Sequence, residues 1–268
     1  MHDLLSEPGA IRMPRWLRQI FLFLAPLLVG ALNVMHPVAH TPIYNGVLHH
    51  IDWWIGLHLL NLVGFPLVGF AAYLLTEGIQ TPAAIISRVA AAVFIPIYAA
   101  FDALAGVGTG TIVQLIDRLS PAQSATLEPI LDAYWNSGTV MAPAMVGSIA
   151  WVIAMLSAAV ALTAPERRRI VAVLSIVFFF VGAWARTNLM SADGGSISLA
   201  WWLVTAALAI AMLIVGNPGL PAALLGLAGS LFGAAHPMPT GPLGLACFLG
   251  AALYNERQRT PIKLRNAK

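Results

Sequence analysis

Long apolar segments that carry almost no charge constrain this chain more than any other feature of its sequence. Eight can be marked, at residues 17–35, 55–75, 87–106, 138–163, 169–184, 198–215, 220–235 and 243–254. A helix needs about 20 apolar residues to cross the ~30 Å hydrocarbon core of a bilayer. Charged residues make up only 9% of the chain, against roughly 25% in soluble domains. The sequence therefore predicts an all-α, polytopic integral membrane helix bundle with about eight transmembrane helices, forming a single transmembrane domain over residues 1–268.

The last two apolar segments, 220–235 and 243–254, are shorter than the others. At 1.5 Å per residue they reach roughly 24 Å and 18 Å. Three arrangements remain open for them: extension by flanking residues, crossing of a locally thinned bilayer, or a partly re-entrant path against the rest of the protein.

The basic residues are distributed asymmetrically about these segments. With the N-terminus placed in the cytoplasm, all of the 14 Lys and Arg residues except Arg118 and Arg186 fall on the cytoplasmic side. This is the positive-inside pattern of membrane proteins. We therefore predict that both termini are cytoplasmic, with an N-terminal tail at residues 1–16 and a basic C-terminal tail at residues 255–268. We expect the protein to lie in a bacterial cytoplasmic membrane, in contact with membrane lipid. We expect no nucleic-acid partner, because the basic residues lie at the ends of the apolar segments, as topology signals do.

The longest predicted outer connection covers residues 107–137. Apolar residues recur at helical spacing in its second half, which predicts a short amphipathic helix on the outer surface. Its first part begins with the glycine-rich stretch 106–110, which lacks the lysine of a phosphate-binding loop and the strand of a dinucleotide fold. We interpret this stretch as a flexible turn that ends a helix.

Histidines gather on one side of this predicted topology, since all seven except His2 fall on its outer side. His36 and His236 each close an apolar segment and are each followed by proline, and His58 lies at the same predicted depth. Imidazole is a preferred ligand of zinc, copper and iron. The sequence therefore predicts that His36, His58 and His236 converge on a transition metal, with zinc, copper or haem iron as the candidates. The alternative is that each is an interfacial histidine that bonds to loop backbone.

The remaining outer histidines form weaker patterns. His36 and His40 have the i, i+4 spacing of a helical metal pair, but the prolines around them oppose a continuous helix. His49 and His50 are adjacent and must point in different directions. The neighbouring Trp53 and Trp54 are typical of the aromatic belt at a membrane surface.

Asp102 and Arg186 are the candidate catalytic residues. A carboxylate within an apolar segment is costly to expose to lipid, so we expect Asp102 to face other helices. It is predicted either to bind the metal or to hold the second nitrogen of a histidine ring, and the alternative is a structural bond to a neighbouring helix. Arg186 is predicted to bind a phosphate or carboxylate group, or to pair with Asp102.

Three functions remain open from the sequence. The first is a membrane enzyme that uses an outer metal or haem site on a lipid-soluble substrate. The second is a transporter or channel, and the third is a non-catalytic subunit of a larger membrane complex. The single cysteine excludes an internal disulfide and a CxxCH haem attachment. A histidine cluster on one side favours the enzyme, whereas a single acidic residue within the spans disfavours ion-coupled transport.

Overall fold

The computed structural model describes residues 13–37, 39, 41–189, 199–216, 219–234, 236 and 239–259, and for 181–189 and 199–200 the description covers the backbone. Within these ranges the regular structure is entirely helical. The helices are α1 (Arg15–Val34), α2 (Ile43–Leu48), α3 (Ile51–Leu75), α4 (Pro82–Asp117), α5 (Pro121–Trp135), α6 (Gly138–Leu162), α7 (Arg168–Leu189), α8 (Leu199–Val215), α9 (Gly219–Ala234) and α10 (Thr240–Arg259).

Four helical stretches are long and apolar enough to cross a membrane. They are α1, α3, α4 and the stretch Pro121–Leu162 that contains α5 and α6. The apolar helices Trp201–Val215 and Gly219–Ala234 are shorter. The predicted all-helical class is therefore confirmed, and the number of eight crossings and the orientation of the termini stay predictions.

Helix α3 shows how the sequence separates an inner from an outer face. His58, Asn61 and Phe65 recur every three or four residues, and all three side chains are buried against other helices. Leu59, Leu60 and Val63 lie on the other side and are exposed. Apolar residues on an exposed face suit contact with acyl chains. One face of α3 therefore packs against protein, and the other is suited to lipid rather than to water.

Helix α4 contains 36 residues, so at 1.5 Å per residue it is about 54 Å long. That length exceeds the ~30 Å hydrocarbon core, and the last turns of α4 carry a second apolar cluster. The side chains buried in this cluster come from α2, α3, α4 and α5, namely Ile43, Val47, Trp54, Val113, Ile116 and Leu131. We call this cluster and the helices α2 and α5 the cap.

The glycine-rich stretch that was predicted to be a flexible turn is helical, and that prediction was wrong. Residues Asp102–Gly108 form a π-helical turn inside α4, and the α-helix resumes over Thr109–Asp117. The glycines serve close packing rather than flexibility, because a Cβ added at Gly110 would lie 2.5 Å from the Ile55 side chain.

The opposite end of the bundle is held by an ionic network around the buried residues Arg18 and Glu256. The guanidinium of Arg18 donates to the carboxylates of Glu77 and Glu256 and to the Leu74 carbonyl oxygen. Arg259 adds bonds to the carbonyl oxygens of Leu75 and Glu77. These residues come from α1, the end of α3 and α10, so the network ties three helices together. We call it the arginine end of the bundle.

Candidate metal centre

Three histidines meet where the bundle joins the cap. His36 lies two residues beyond the end of α1, His236 lies two residues beyond the end of α9, and His58 lies near the start of α3. All three are buried. The convergence expected from the sequence is therefore present, although the residues are up to 200 positions apart in the chain.

The spacing of the ring nitrogens matches the geometry of a metal site. The Nε2 atom of His36 lies 3.3 Å from Nε2 of His58 and 3.1 Å from Nε2 of His236. One ligand atom from each ring lies within 4.8 Å of the other two. Nitrogens bound 2.0–2.1 Å from a tetrahedral metal are separated by about 3.3 Å. A single ion can therefore be held by these three rings with small shifts of the side chains.

The same packing does not accommodate a haem. The ring centroids of His36 and His58 are 4.9 Å apart, and those of His36 and His236 are 4.7 Å apart, in edge-to-face contact. A porphyrin bound through two of these histidines would have to lie between rings that are already in contact. Haem iron is thus the one predicted cofactor that this arrangement disfavours.

Backbone carbonyl oxygens determine which nitrogen of two rings carries the proton. Nδ1 of His58 lies 2.7 Å from the Trp54 carbonyl oxygen, and Nδ1 of His36 lies 2.5 Å from the Pro37 carbonyl oxygen. A carbonyl oxygen can only accept, so both Nδ1 atoms must donate. In the neutral rings the two Nε2 atoms are then unprotonated. Burial lowers the pKa of His36, which favours its neutral form.

The consequence is a contact that a hydrogen bond cannot explain. Two Nε2 atoms, each with a lone pair, face each other at 3.3 Å with no proton of their own between them. Metal-binding histidines show this arrangement, because their second nitrogen is bonded to a carbonyl or carboxylate that orients the ring.

Asp102 lies beside these nitrogens and is fully buried. Neither of its carboxylate oxygens has a hydrogen-bond partner in the described part of the chain. Its Oδ1 is 3.9 Å from Nε2 of His58. Asp102 is therefore shielded by helices, as expected. The prediction that it holds a second ring nitrogen is wrong for His58 and His36, because the carbonyls of Trp54 and Pro37 occupy those nitrogens.

The π turn in α4 brings the helix backbone against the His58 ring. A Cβ added at Gly106 would lie 2.1 Å from ring atoms of His58, so only glycine fits this close approach. Two carbonyl oxygens of the turn, which also accept from the Thr109 backbone N–H, each accept a second bond from a side chain. The Gly106 carbonyl accepts a bond from Trp54 Nε1 at 2.9 Å, and the Leu104 carbonyl accepts one from the Tyr134 hydroxyl at 2.9 Å.

Trp54 is the residue of this site that the sequence analysis misassigned. It was placed in an aromatic belt with Trp53, but it is 1% exposed, whereas Trp53 is 38% exposed. The Trp54 ring centroid lies 4.6 Å from that of His58 and 5.6 Å from that of His36. The usable signal was its spacing, since Trp54 lies four residues before His58 on the same face of α3.

An amide pair lies one turn away from the histidines on the same two helices. Asn33 precedes His36 by three residues, and Asn61 follows His58 by three residues. Asn33 Nδ2 donates to Asn61 Oδ1 at 3.2 Å, and both side chains are buried. Buried amides that bond across helices fix the register of one helix against the other. The pair therefore helps to set the distance between His36 and His58.

Several other residues predicted from the sequence are not part of the described site. Arg186 lies in α7, but its side chain is outside the described part of the structure. His40 lies outside the described residues. His49 and His50 are exposed in the connection between α2 and α3. The structure thus brings together His36, His58, His236 and Asp102.

Comparisons of this chain with protein-family models, with curated proteins and with solved structures gave no match. Function is therefore argued from the geometry of the site.

Proposed function

We propose that this protein is an integral membrane metalloprotein that binds one zinc or copper ion through His36, His58 and His236. The observation that carries the proposal is the pair of Nε2 lone pairs that face each other at 3.3 Å while both Nδ1 atoms donate to carbonyl oxygens. A cation between these atoms turns a repulsive contact into coordination. Imidazole nitrogens suit both of these metals.

Asp102 supplies the charge that such a site needs. Three neutral imidazoles leave a divalent ion uncompensated in a region of low dielectric, where an unpaired charge is costly. Asp102 is the carboxylate next to the histidine cluster, and its oxygens are unpartnered within the described part of the chain. Among the described residues, the group of possible ligand atoms that lie within 4.8 Å of one another contains the three histidines and not Asp102. We therefore assign Asp102 as a charge partner beside the metal, which leaves a fourth position for water or substrate.

The use that we propose for the metal is catalysis on a lipid-soluble substrate. Three histidines with an open fourth position are typical of catalytic zinc, which lowers the pKa of bound water. His36, His58 and His236 would hold such an ion, and Asp102 is the carboxylate beside it that could accept a proton. The position of the site between the apolar bundle and the cap supports a substrate that enters from the membrane.

For the membrane arrangement we propose eight crossings, both termini in the cytoplasm and the histidines on the outer side of a bacterial cytoplasmic membrane. Support comes from the arginine end, where Arg18, which the positive-inside pattern places on the cytoplasmic side, meets Glu77 and Glu256. Reporter fusions in the 36–54 connection and after residue 259 should report opposite sides of the membrane. Fusions that report the same side contradict this topology.

A second candidate function rests on the same distances. Separations of 3.1 and 3.3 Å are also within hydrogen-bonding range, so one added proton shared between His36 and its neighbours, balanced by Asp102, would make a proton relay. This alternative requires no metal.

Metal analysis of matched histidine variants separates the two functions. The wild-type protein, purified without chelator and incubated with zinc or copper, should retain one ion per chain and lack a haem Soret band. His58→Ala should lose the ion and keep its helical circular dichroism spectrum, because apolar packing holds the bundle. His49→Ala, at an exposed position, should retain the ion.

A wild-type protein that binds neither metal contradicts the metalloprotein and leaves the proton relay. An equal metal content in folded His58→Ala and His49→Ala contradicts the assigned ligands.

A further inference from the structure

A groove on the lipid-facing surface lies near the start of α7, far from the histidines in the chain. It has a volume of about 330 Å³ and is walled by α4, α6 and α7, with Ile86, Ile153, Ala172, Ile176 and Phe179 among its lining residues. A second apolar groove of about 410 Å³ adjoins it and shares Ile86 and Ile153. Volumes of 300–1,000 Å³ are typical of ligand sites. Two adjoining apolar grooves suit a molecule with two hydrocarbon chains.

One polar group in the wall of the first groove has no partner. Ser175 is 6% exposed, and its hydroxyl makes no hydrogen bond within the described part of the chain. A serine hydroxyl in a membrane helix ordinarily bonds to the carbonyl one turn before it, and a buried hydroxyl without a bond is unfavourable. Ser175 is among the residues that line the groove, and its hydroxyl oxygen is covered by protein, so a rotation of the side chain would present the hydroxyl to an acceptor atom on a molecule in the groove.

A basic segment lies just before the groove along the chain. Arg167 precedes α7, Arg168 and Arg169 open it, and the neighbouring Glu166 leaves this segment with a net positive charge. Arg168 is engaged with the Thr163 carbonyl oxygen at 3.0 Å. Arg169 is exposed, and at 100° per residue it lies about 20° from Ile176 on the helical wheel. The face of α7 that lines the groove therefore continues towards the N-terminal end of the helix to the exposed Arg169.

We propose that these grooves bind one anionic phospholipid. The acyl chains occupy the two grooves, an ester carbonyl accepts a hydrogen bond from Ser175, and the phosphate lies at Arg169. The order of these features along α7 matches the order of a phospholipid from headgroup to chain. This site is independent of the proposed metal function.

Native mass spectrometry of the detergent-purified full-length protein tests the site, with phosphatidylglycerol and phosphatidylcholine of identical acyl chains as probes. The wild type should retain one phosphatidylglycerol in preference to phosphatidylcholine. Arg169→Gln should weaken the binding of phosphatidylglycerol about fivefold, since a basic residue near an anionic lipid contributes about that factor, and should leave phosphatidylcholine unchanged. Ser175→Ala should weaken both lipids equally.

A matched pair of substitutions tests the groove itself. Ala172→Phe places a ring in the groove and should remove the bound lipid. Val173→Phe places the same ring at an exposed position next to it, outside the groove lining, and should retain the lipid. Equal retention by the two variants, or equal binding of the two lipids by the wild type, would mean ordinary surrounding lipid and would overturn the proposal. Arg169→Gln lies on the surface and carries the test if Ala172→Phe does not fold.

Discussion

The two ends of the bundle bury polar groups in opposite ways. At the arginine end, each nitrogen of the Arg18 guanidinium has an acceptor, and two arginines face two glutamates. At the histidine end, two Nε2 lone pairs face each other and both oxygens of Asp102 lack a hydrogen-bond partner in the described part of the chain. A complete set of partners indicates a structural role, because the protein itself satisfies the buried charge. An incomplete set of partners indicates that a bound ion or an added proton completes it.

The largest effect that we expect tests the structural end. Arg18→Met removes the nearer of the two arginines that face the buried carboxylate of Glu256, so we expect the free energy of unfolding to fall by about 3–5 kcal/mol. The measurement is chemical or thermal unfolding in detergent, followed by circular dichroism. Arg167→Met, at an exposed position, is the control and should change little. Equal stability of the two variants would show that the network does not hold the helices together.

The next effect tests how tightly the histidine end is packed. A Cβ at Gly106 would overlap the His58 ring, so Gly106→Ala should lower stability by about 3 kcal/mol, at the upper end for overpacking. It should also lower metal affinity, since the ring must move. Gly56→Ala is the control, because no atom lies within 4 Å of the added Cβ and alanine favours a helix by up to about 1 kcal/mol. If Gly106→Ala is as stable as Gly56→Ala, the close contact with His58 does not contribute to stability.

The smallest effect that we expect is a gain of stability at the histidine end. Asp102→Leu removes a buried carboxylate that lacks hydrogen bonds, so the metal-free protein should gain about 1–3 kcal/mol of stability. The same variant should gain less from added metal, because the charge partner is gone. Unfolding curves with and without a chelator measure both quantities. A loss of stability in the metal-free variant would show that Asp102 is already satisfied in the protein alone.

The histidine cluster could be predicted from the sequence because of where its residues lie in the apolar segments. Each of the three residues lies where an apolar segment begins or ends, and segments that share a membrane place such positions at one depth. His36 and His236 also share a following proline. Depth, however, does not give direction around a helix. The sequence could not show that Trp54 and Pro37 would bond to the second nitrogens, which depends on ring orientation within single turns.

The arginine end was harder to foresee from the sequence. Arg18 appeared only as one of the basic residues that define the cytoplasmic side, and it is separated from its partners Glu77 and Glu256 by 59 and 238 residues. Each lies at the border of an apolar segment, where an exposed charge is ordinary. Only the packing of α1, α3 and α10 shows that these charges meet, with Arg18 and Glu256 buried. The helical class follows from local composition, whereas the pairing of charges depends on which helices become neighbours.

The π turn in α4 also determines the angle at which the cap faces the bundle. A π turn adds about one residue to the helix, and one residue corresponds to about 100° of rotation about the axis. Every side chain after Gly108 is thus out of phase with those before Asp102. Deletion of a single residue between 103 and 105 would restore the regular helical phase. Val113 and Ile116, which are buried in the cap with Trp54, would then turn through that angle, away from Trp54. The alignment of the cap with the site is therefore encoded by a one-residue length difference.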